Sequence, residues 1–241
     1  MNEFIESITQ SYNWQAALIS LVGIVLIVKI GKYIAFLVPA LAQARKINLA
    51  EDAKKIAKPK YLPVIKSSEK IGVVSNIAFF VAVLPFVATL DSQPAWMIGL
   101  HVFAIIMVYD FFYYFCHRFW FHGQGKMRQI HAIHHQARNP THIDAYYVHP
   151  TETFIGIMLY MCSIPLLAAF LGPFHVGTII LSFVIFTQVN TVNHTLVELP
   201  YFPFKTLNWF TAKHHVHHEN MHKGNYASIT PLYDKLFGTL D

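Results

Sequence analysis

Five apolar stretches set the terms for this chain, because each approaches the roughly 17 to 25 residues that a helix needs to cross a bilayer. They run from Trp14 to Pro39, Ile71 to Leu90, Trp96 to Cys116, Thr153 to Leu171 and Phe174 to Asn193. In 241 residues that leaves room for one bundle and its loops. The expected fold is all-α, an integral membrane helical bundle of about four to five crossings. Charged residues are only 13% of the chain, about half the share of an ordinary soluble domain, which agrees. The first stretch is interrupted by Lys29 and Lys32, whose stems can snorkel to the headgroups. The last two are separated only by Gly172-Pro173, a hairpin that either spans fully or turns back within one leaflet. The opening MNEFIESITQ lacks a basic region before its apolar run, so no cleavable leader is expected.

Charge asymmetry orients the bundle, since cytoplasmic loops concentrate Lys and Arg. Of the 18 basic residues, eight lie between Ala42 and Lys70, four between Arg118 and Arg138, and four between Lys205 and Lys235. Residues 1 to 13, the Asp91 to Ala95 turn and the Gly172-Pro173 turn carry none. The N-terminus is therefore expected outside, with the long loops and C-terminal segment forming a cytoplasmic cap. The basic segment Ala42 to Lys70 is expected to be a helical linker lying along the anionic inner surface. Residues 1–70 thus read as an N-terminal crossing plus linker, and 71–241 as the functional domain. A net charge of +5 in so apolar a chain reports topology rather than a nucleic-acid partner. Cys116 and Cys162, both inside apolar runs, cannot build a disulfide framework or a Cys-based zinc site.

Histidine is the anomaly, at 15 residues, and all but His101 and His175 fall on or at the edge of the cytoplasmic side. His117 and His122 close the third apolar stretch. His131, His134 and His135 follow in HAIHH, and the same spacing returns in HHVHH as His214, His217 and His218, which places each triad on one helical face. Neutral imidazole is a common ligand for Fe, Zn, Cu and Ni. Eight or more imidazoles exceed what one ion accepts, so two ions with open positions are expected. Asp110 and Tyr114 precede His117 by two helical turns and one, which makes them candidate catalytic residues that support the ligands from behind. An ionisable residue inside an apolar helix is a functional candidate by default. Asp144, Glu152 and Glu198 flank the clusters. His149 reads equally as support for a ligand or as a helix entry before Pro150. His215 lies out of phase with its neighbours, and His222 is an extra histidine beyond the triad.

These residues resemble the membrane-bound fatty acid hydroxylase and sterol desaturase superfamily. The likeness rests on HRFWFH, HAIHH, TVNHTLVELP, HHVHH and the closing GNYASITPLYDKLFGTLD, and covers about residues 71 to 241. It implies that His117, His122, His131, His134, His135, His214, His217 and His218 ligate two iron ions, with His194 at the place of a further His or Gln. It also implies O₂ as co-substrate and hydroxylation or desaturation of a lipid C–H bond, the lipid being a sterol, a fatty acyl chain or a relative. Electrons would come from an external ferredoxin, cytochrome b5 or reductase, because the chain has no haem motif, Cys-ligated cluster or nucleotide-binding glycine pattern. Unlike many fatty acid 2-hydroxylases, the chain has no second histidine just beyond His194 and no cytochrome b5-like domain before the membrane region.

Two other readings compete. His218-Glu219-Asn220-Met221-His222 matches the H-E-x-x-H pattern of zinc metalloproteases, with Glu219 as general base. It needs a helix continuing past Lys223-Gly224. A metal transporter would also need many imidazoles, but along a path near the membrane midplane rather than in a cap.

Overall fold

The computed structural model describes residues 11–196, 199, 202 and 204–241. The fold is a helical bundle whose only strands, among the described residues, are two residues long. Helix α1 (Trp14–Ala35) crosses first, followed by α2 (Pro39–Ile56) and α3 (Tyr61–Ala82). The one-turn α4 (Leu84–Val87) and strand β1 (Ala88–Thr89) lead to α5 (Ala95–Phe115), which continues as a π-helical turn, Cys116–Phe121. Then come α6 (Lys126–His134), a 3₁₀ turn (His142–Ala145), α7 (Pro150–Leu171), β2 (Phe174–His175) and α8 (Val176–Asn193). Helix α9 (Lys205–Glu219) and the short α10 (Leu232–Leu236) close the chain.

Among the described residues, four helices are long and apolar enough to cross a membrane: Trp14–Ala35, the continuous Ala95–Phe121, Pro150–Leu171 and Val176–Asn193. They match four of the five apolar stretches. The stretch from Ile71 to Leu90 is built differently. Its first half is the distal part of α3, which starts ten residues earlier inside the basic segment, and its second half breaks at Val83 into α4 and β1. Pro85 near the start of α4 suits a new first turn, because proline has no N–H to lose there.

Why the bundle needs lipid is visible on its outside. Val73, Val74 and Ile77 of α3, Trp96 and Phe103 of α5, and Phe170 of α7 are exposed. Inside, α1 approaches α8 through small residues. Ala16, Ala17 and Ser20 are buried, and a Cβ on Gly23 would stand 2.5 Å from Ile180 Cδ1. Small residues allow helices to approach closely where lipid tails are as apolar as leucine. Aromatic packing fills the centre, with Tyr160 stacked on Phe186 at 4.3 Å and Tyr109 edge-on to the same ring.

Gly172 ends α7 with φ of +80°, a left-handed conformation that favours glycine. The chain then pairs Phe174 with Ala88 and His175 with Thr89 in a parallel bridge. With 22 and 18 residues, α7 and α8 run about 33 and 27 Å at 1.5 Å per residue, so the Gly172-Pro173 hairpin joins two helices of bilayer length.

The basic linker does more than decorate a surface. Helix α2 buries Asn48 and Asp52 against the cap. Asn48 Nδ2 donates to Leu196 O at 3.2 Å, while its Oδ1 accepts from Leu196 N at 2.9 Å and His142 N at 3.3 Å. Asp52 pairs with His142 at 2.6 Å, and Lys55 with the buried Asp144. Tyr61, at the start of α3, stacks on Tyr147 at 4.0 Å.

Candidate metal centre

Nine histidines converge, and they do so as two groups. One comprises His117, His122, His131, His135 and His217; the other comprises His134, His194, His214 and His218. The nine are those named from the sequence. Within each group the candidate ligand nitrogens all lie within 4.8 Å of one another.

Each triad is divided between the groups. From HAIHH, the i, i+4 pair His131 and His135 enters the five-histidine group, while His134 enters the other. From HHVHH, the pair His214 and His218 enters the four-histidine group, and His217 crosses to the five. One helical face therefore serves both groups, with one turn of α6 and one of α9 laid across them.

His117 and His122 need a different local device. Five residues along an α-helix leave two side chains about 140° apart. The π turn removes that angle: His122 N donates to His117 O at 2.9 Å, the wider backbone bond that brings both rings inward. The four-residue gap in HRFWFH was the only signal of it in the sequence.

The protonation pattern follows from what stands behind each ring. His117 Nδ1 lies 2.6 Å from Tyr226 O, His122 Nδ1 2.8 Å from Met221 O, and His217 Nδ1 2.7 Å from Gly224 O. His194 Nδ1 lies 2.7 Å from Asn190 O and His134 Nδ1 3.2 Å from Tyr147 O. A carbonyl oxygen only accepts, so each of these Nδ1 atoms carries the hydrogen and donates. His131 Nδ1 faces the Glu152 carboxylate at 2.7 Å in the same sense. The opposite nitrogens, Nε2, are left as bare lone pairs, and they point at one another. His117 Nε2 lies 3.0 Å from His131 Nε2 and 3.1 Å from His217 Nε2, and His122 Nε2 stands 3.1 Å from His131 Nε2. His194 Nε2 stands 3.2 Å from His134 Nε2, 3.1 Å from His214 Nε2 and 3.2 Å from His218 Nε2. Between rings whose Nδ1 carries the hydrogen, as His117 with His131 and His217, His122 with His131, and His134 with His194, these contacts are repulsive unless a cation sits among them. A metal with bonds of about 2.1 Å sets adjacent octahedral ligands about 3.0 Å apart, so the donor set fits a first-row transition ion in each group.

Burial reinforces the fit. It pushes His134, His135, His194, His214, His217 and His218 below the ordinary imidazole range, with neighbouring imidazoles adding to the effect. His122 is brought down to about 3 by burial and then by His131. Neutral rings are the form that binds metal.

Other candidates sit elsewhere. Asp110 does not face the histidines: Oδ1 accepts from Ser228 N and Ile229 N at 3.0 Å, and Oδ2 from Thr230 N at 3.1 Å. Tyr114 accepts from Arg118 at 2.7 Å, meets Thr239 Oγ1 at 3.0 Å and stacks on Phe237. Both residues bind the C-terminal segment. His149 is the N-cap of α7, its Nδ1 accepting from Thr151 N at 3.2 Å, and His175 caps α8 through Gly177 N. His101 packs edge-on to Phe174 beside the β1–β2 bridge. His215 and His222 join neither group. Helix α9 stops at Glu219, which separates His222 from the helical geometry that an H-E-x-x-H zinc site requires. Glu198 lies outside the described residues.

A family model described as fatty acid hydroxylase matches residues 102–239, more than half of the chain and all nine of these histidines. The chain belongs to the fatty acid hydroxylase family. As a member, it is 30% identical over 159 residues to methylsterol monooxygenase 1 of Rattus norvegicus, covering 62% of this chain and 50% of that protein. It is 30% identical over 158 residues to a putative methylsterol monooxygenase of Dictyostelium discoideum, covering 63% and 54%. It is 33% identical over 171 residues to the very-long-chain aldehyde decarbonylase GL1-9 of Oryza sativa subsp. japonica, covering 66% and 64%. This fatty acid hydroxylase-family chain spans about half the length of the methylsterol monooxygenases it matches. No solved structure matches it.

Beneath the histidines of this family member lies a cavity of about 530 Å³ between α3, α5, α7 and α8. His134 and Glu152 stand at its cap end, and Tyr109, Ile157, Met161 and Phe183 line its depth. It meets the outside at Val73 and Tyr146, both exposed. Glu152 was noted in the sequence only as a flanking carboxylate. It belongs to both features, one oxygen holding His131 and the other, Oε2, buried without a partner among the described residues.

Proposed function

We propose that this chain is a membrane-bound di-iron oxygenase that removes hydrogen from an unactivated C–H bond of a lipid, hydroxylating or desaturating it. The observation that carries the reading is the pair of convergent imidazole groups, one of which reaches a largely apolar cavity through His134. Residues 71–241 carry the activity, and 1–70 anchor and brace them.

The nine histidines, His117, His122, His131, His134, His135, His194, His214, His217 and His218, would hold two iron ions. Iron bound there supplies the activation of O₂ and the abstraction of hydrogen. The protein's part is positional. Backbone carbonyls and Glu152 keep the Nδ1 hydrogens of His117, His122, His131, His134, His194 and His217 turned away, so these six rings present Nε2 inward. The cavity has the size of a small-ligand site and suits part of a long lipid, with exposed Val73 beside an entry from the bilayer. Tyr109, Ile157, Met161 and Phe183 give its depth an apolar wall, with Asn76, Thr187 and Asn190 adding polar groups. The relatives named as methylsterol monooxygenases and aldehyde decarbonylase support a lipid substrate. Two electrons per turnover come from a separate donor such as a ferredoxin, cytochrome b5 or a reductase. The Lys and Arg content of the linker and loops supports a cytoplasmic side for the histidine cap, where such donors are found.

The test compares lipid extracts of cells with and without the chain by mass. A gain of one oxygen or a loss of two hydrogens in one lipid class, abolished by His217→Ala, is expected. Unchanged lipids with the protein present, metal-loaded and supplied with reductant would overturn the reading.

A further inference from the structure

After α9 the chain runs without regular structure from Asn220 to Thr230, and the backbone of this strap is satisfied in an unusual way. The N–H groups of Gly224 to Thr230, seven in a row, find no helix or sheet partner. Six are taken by carboxylates. Gly224 donates to Asp241 at 2.7 Å, Tyr226 and Ala227 to Asp234 at 2.8 Å, and Ser228, Ile229 and Thr230 to Asp110 at 3.0 to 3.1 Å. Asn225 donates to Thr239 O at 2.9 Å, with its φ of 62° turning the chain there. The fit is close: a Cβ on Gly224 would stand 1.8 Å from Thr239 O.

The other side of the strap faces the metal centre. Its carbonyls at Met221, Gly224 and Tyr226 accept from the Nδ1–H of His122, His217 and His117. All three belong to the five-histidine group. Among the described residues the four-histidine group takes no such support from the strap: His134 donates to Tyr147 and His194 to Asn190.

One peptide unit shows the consequence most directly. The Tyr226–Ala227 peptide receives His117 Nδ1–H on its oxygen at 2.6 Å and gives its N–H to Asp234 Oδ2 at 2.8 Å. A carboxylate drawing on the N–H polarises the amide, which strengthens the oxygen as an acceptor. That makes His117 a better donor at Nδ1 and a more basic ligand at Nε2, the effect that a carboxylate bonded directly to a ligating histidine produces. Glu152 does this for His131 by direct contact. Asp234 does it for His117 through a peptide.

We propose that Asp234 and Asp110 are positioning residues for one of the two metals: acting through the strap, they fix and tune the five-histidine site and leave the four-histidine site to other supports. The inference rests on the reading that both groups bind metal.

The experiment is metal analysis of full-length protein in detergent, with a graded chelator challenge, for wild type, Asp234→Asn, His218→Ala and the double variant. Wild type is expected to hold two ions. Asp234→Asn should lose one of them 10- to 100-fold more readily and retain the other unchanged. The double variant should hold neither ion, because His218→Ala empties the opposite group. Wild-type resistance to chelator in Asp234→Asn, or a double variant no emptier than His218→Ala alone, overturns the proposal. Wild type with fewer than two ions sinks the two-metal reading instead. Should Asp234→Asn elute as aggregate, Asp110→Asn, which loosens the strap at Ser228 to Thr230, replaces it. The same one-ion loss is then expected with a smaller shift, and no shift overturns the proposal.

Discussion

Removing the Glu152 side chain isolates one hydrogen bond whose worth can be reasoned from its surroundings. Glu152 is 5% exposed and sits in the first turn of α7, where the helix N-terminus favours a negative charge. Its partner His131 is fully buried, so Glu152→Ala leaves an N–H donor without an acceptor, a cost of about 1–3 kcal/mol for the folded and loaded protein. At 1.4 kcal/mol per tenfold, that corresponds to about 5- to 140-fold in metal affinity at the five-histidine group. Glu152→Gln keeps an acceptor but loses the charge. A charge-assisted bond is about twice as strong as a neutral one, so the loss should be nearer tenfold. Glu152→Asp is one methylene short of the 2.7 Å contact and should fall between the other two. The assay is competitive metal release against a chelator ladder, read by elemental analysis on protein that remains monodisperse. The ranking Gln, Asp, Ala in increasing loss is expected. Wild-type retention of both ions in Glu152→Ala would refute the reasoning, because it would mean that the carboxylate does not set the orientation of His131.

Other perturbations probe separate parts of the molecule. His134→Ala should abolish lipid oxidation, whereas His101→Ala, beside the β1–β2 bridge at the opposite end, should retain most of it; equal loss in two folded variants counts against the site assignment. Gly72→Leu points a side chain into the cavity wall near Ile157 and should shift the preferred lipid or raise KM without changing metal content, as lipid profiling and metal analysis can check together. Glu219→Gln and His222→Ala should each leave substantial oxidation, since α9 ends at Glu219 and His222 joins neither histidine group; loss in both would revive the zinc-protease reading. In metal-free protein the buried rings stay neutral while the unfolded chain protonates below about pH 6.5, so stability falls as pH drops. Each such histidine contributes up to about 1.4 kcal/mol per pH unit, His122 over the window from about pH 6.5 to its folded value of about 3. Melting temperatures of chelator-treated protein should therefore fall from pH 7 to pH 5, and a flat profile would count against neutral burial.

The parts of this structure that were legible in the sequence are those fixed by local pattern. Apolar length marked the four long crossings, and the spacing of His131, His134 and His135 and of His214, His217 and His218 marked two helical faces aimed at metal. What pattern could not supply was allocation. Nothing in HAIHH says that His134 parts company with its neighbours, because that depends on where α9 crosses α6. The π turn at Cys116–Phe121 hid behind a spacing that an α-helix would waste. Asp110 stood out as a carboxylate inside an apolar helix, but its partners lie 118 to 120 residues away in a strap with no regular structure. The basic linker showed its charge and concealed Asn48 and Asp52, whose contacts at Leu196 and His142 are equally remote in sequence.

The division of each triad between the two histidine groups also means that neither group can be adjusted alone. His131 and His135 are rigidly joined to His134 by one turn of α6, and His214 and His218 to His217 by one turn of α9, so the separation between the groups is measured in helical pitch. Carboxylates that bridge two metals can swing and let the separation breathe; backbone hydrogen bonds of a helix turn do not. Sliding or rotating α9 by a fraction of a turn would open both groups at once, and so would a single-residue insertion in either triad. The interval between the two histidine groups is thus set by the backbone, inherited from the rise of 1.5 Å per residue, and side-chain chemistry is left free to vary around it.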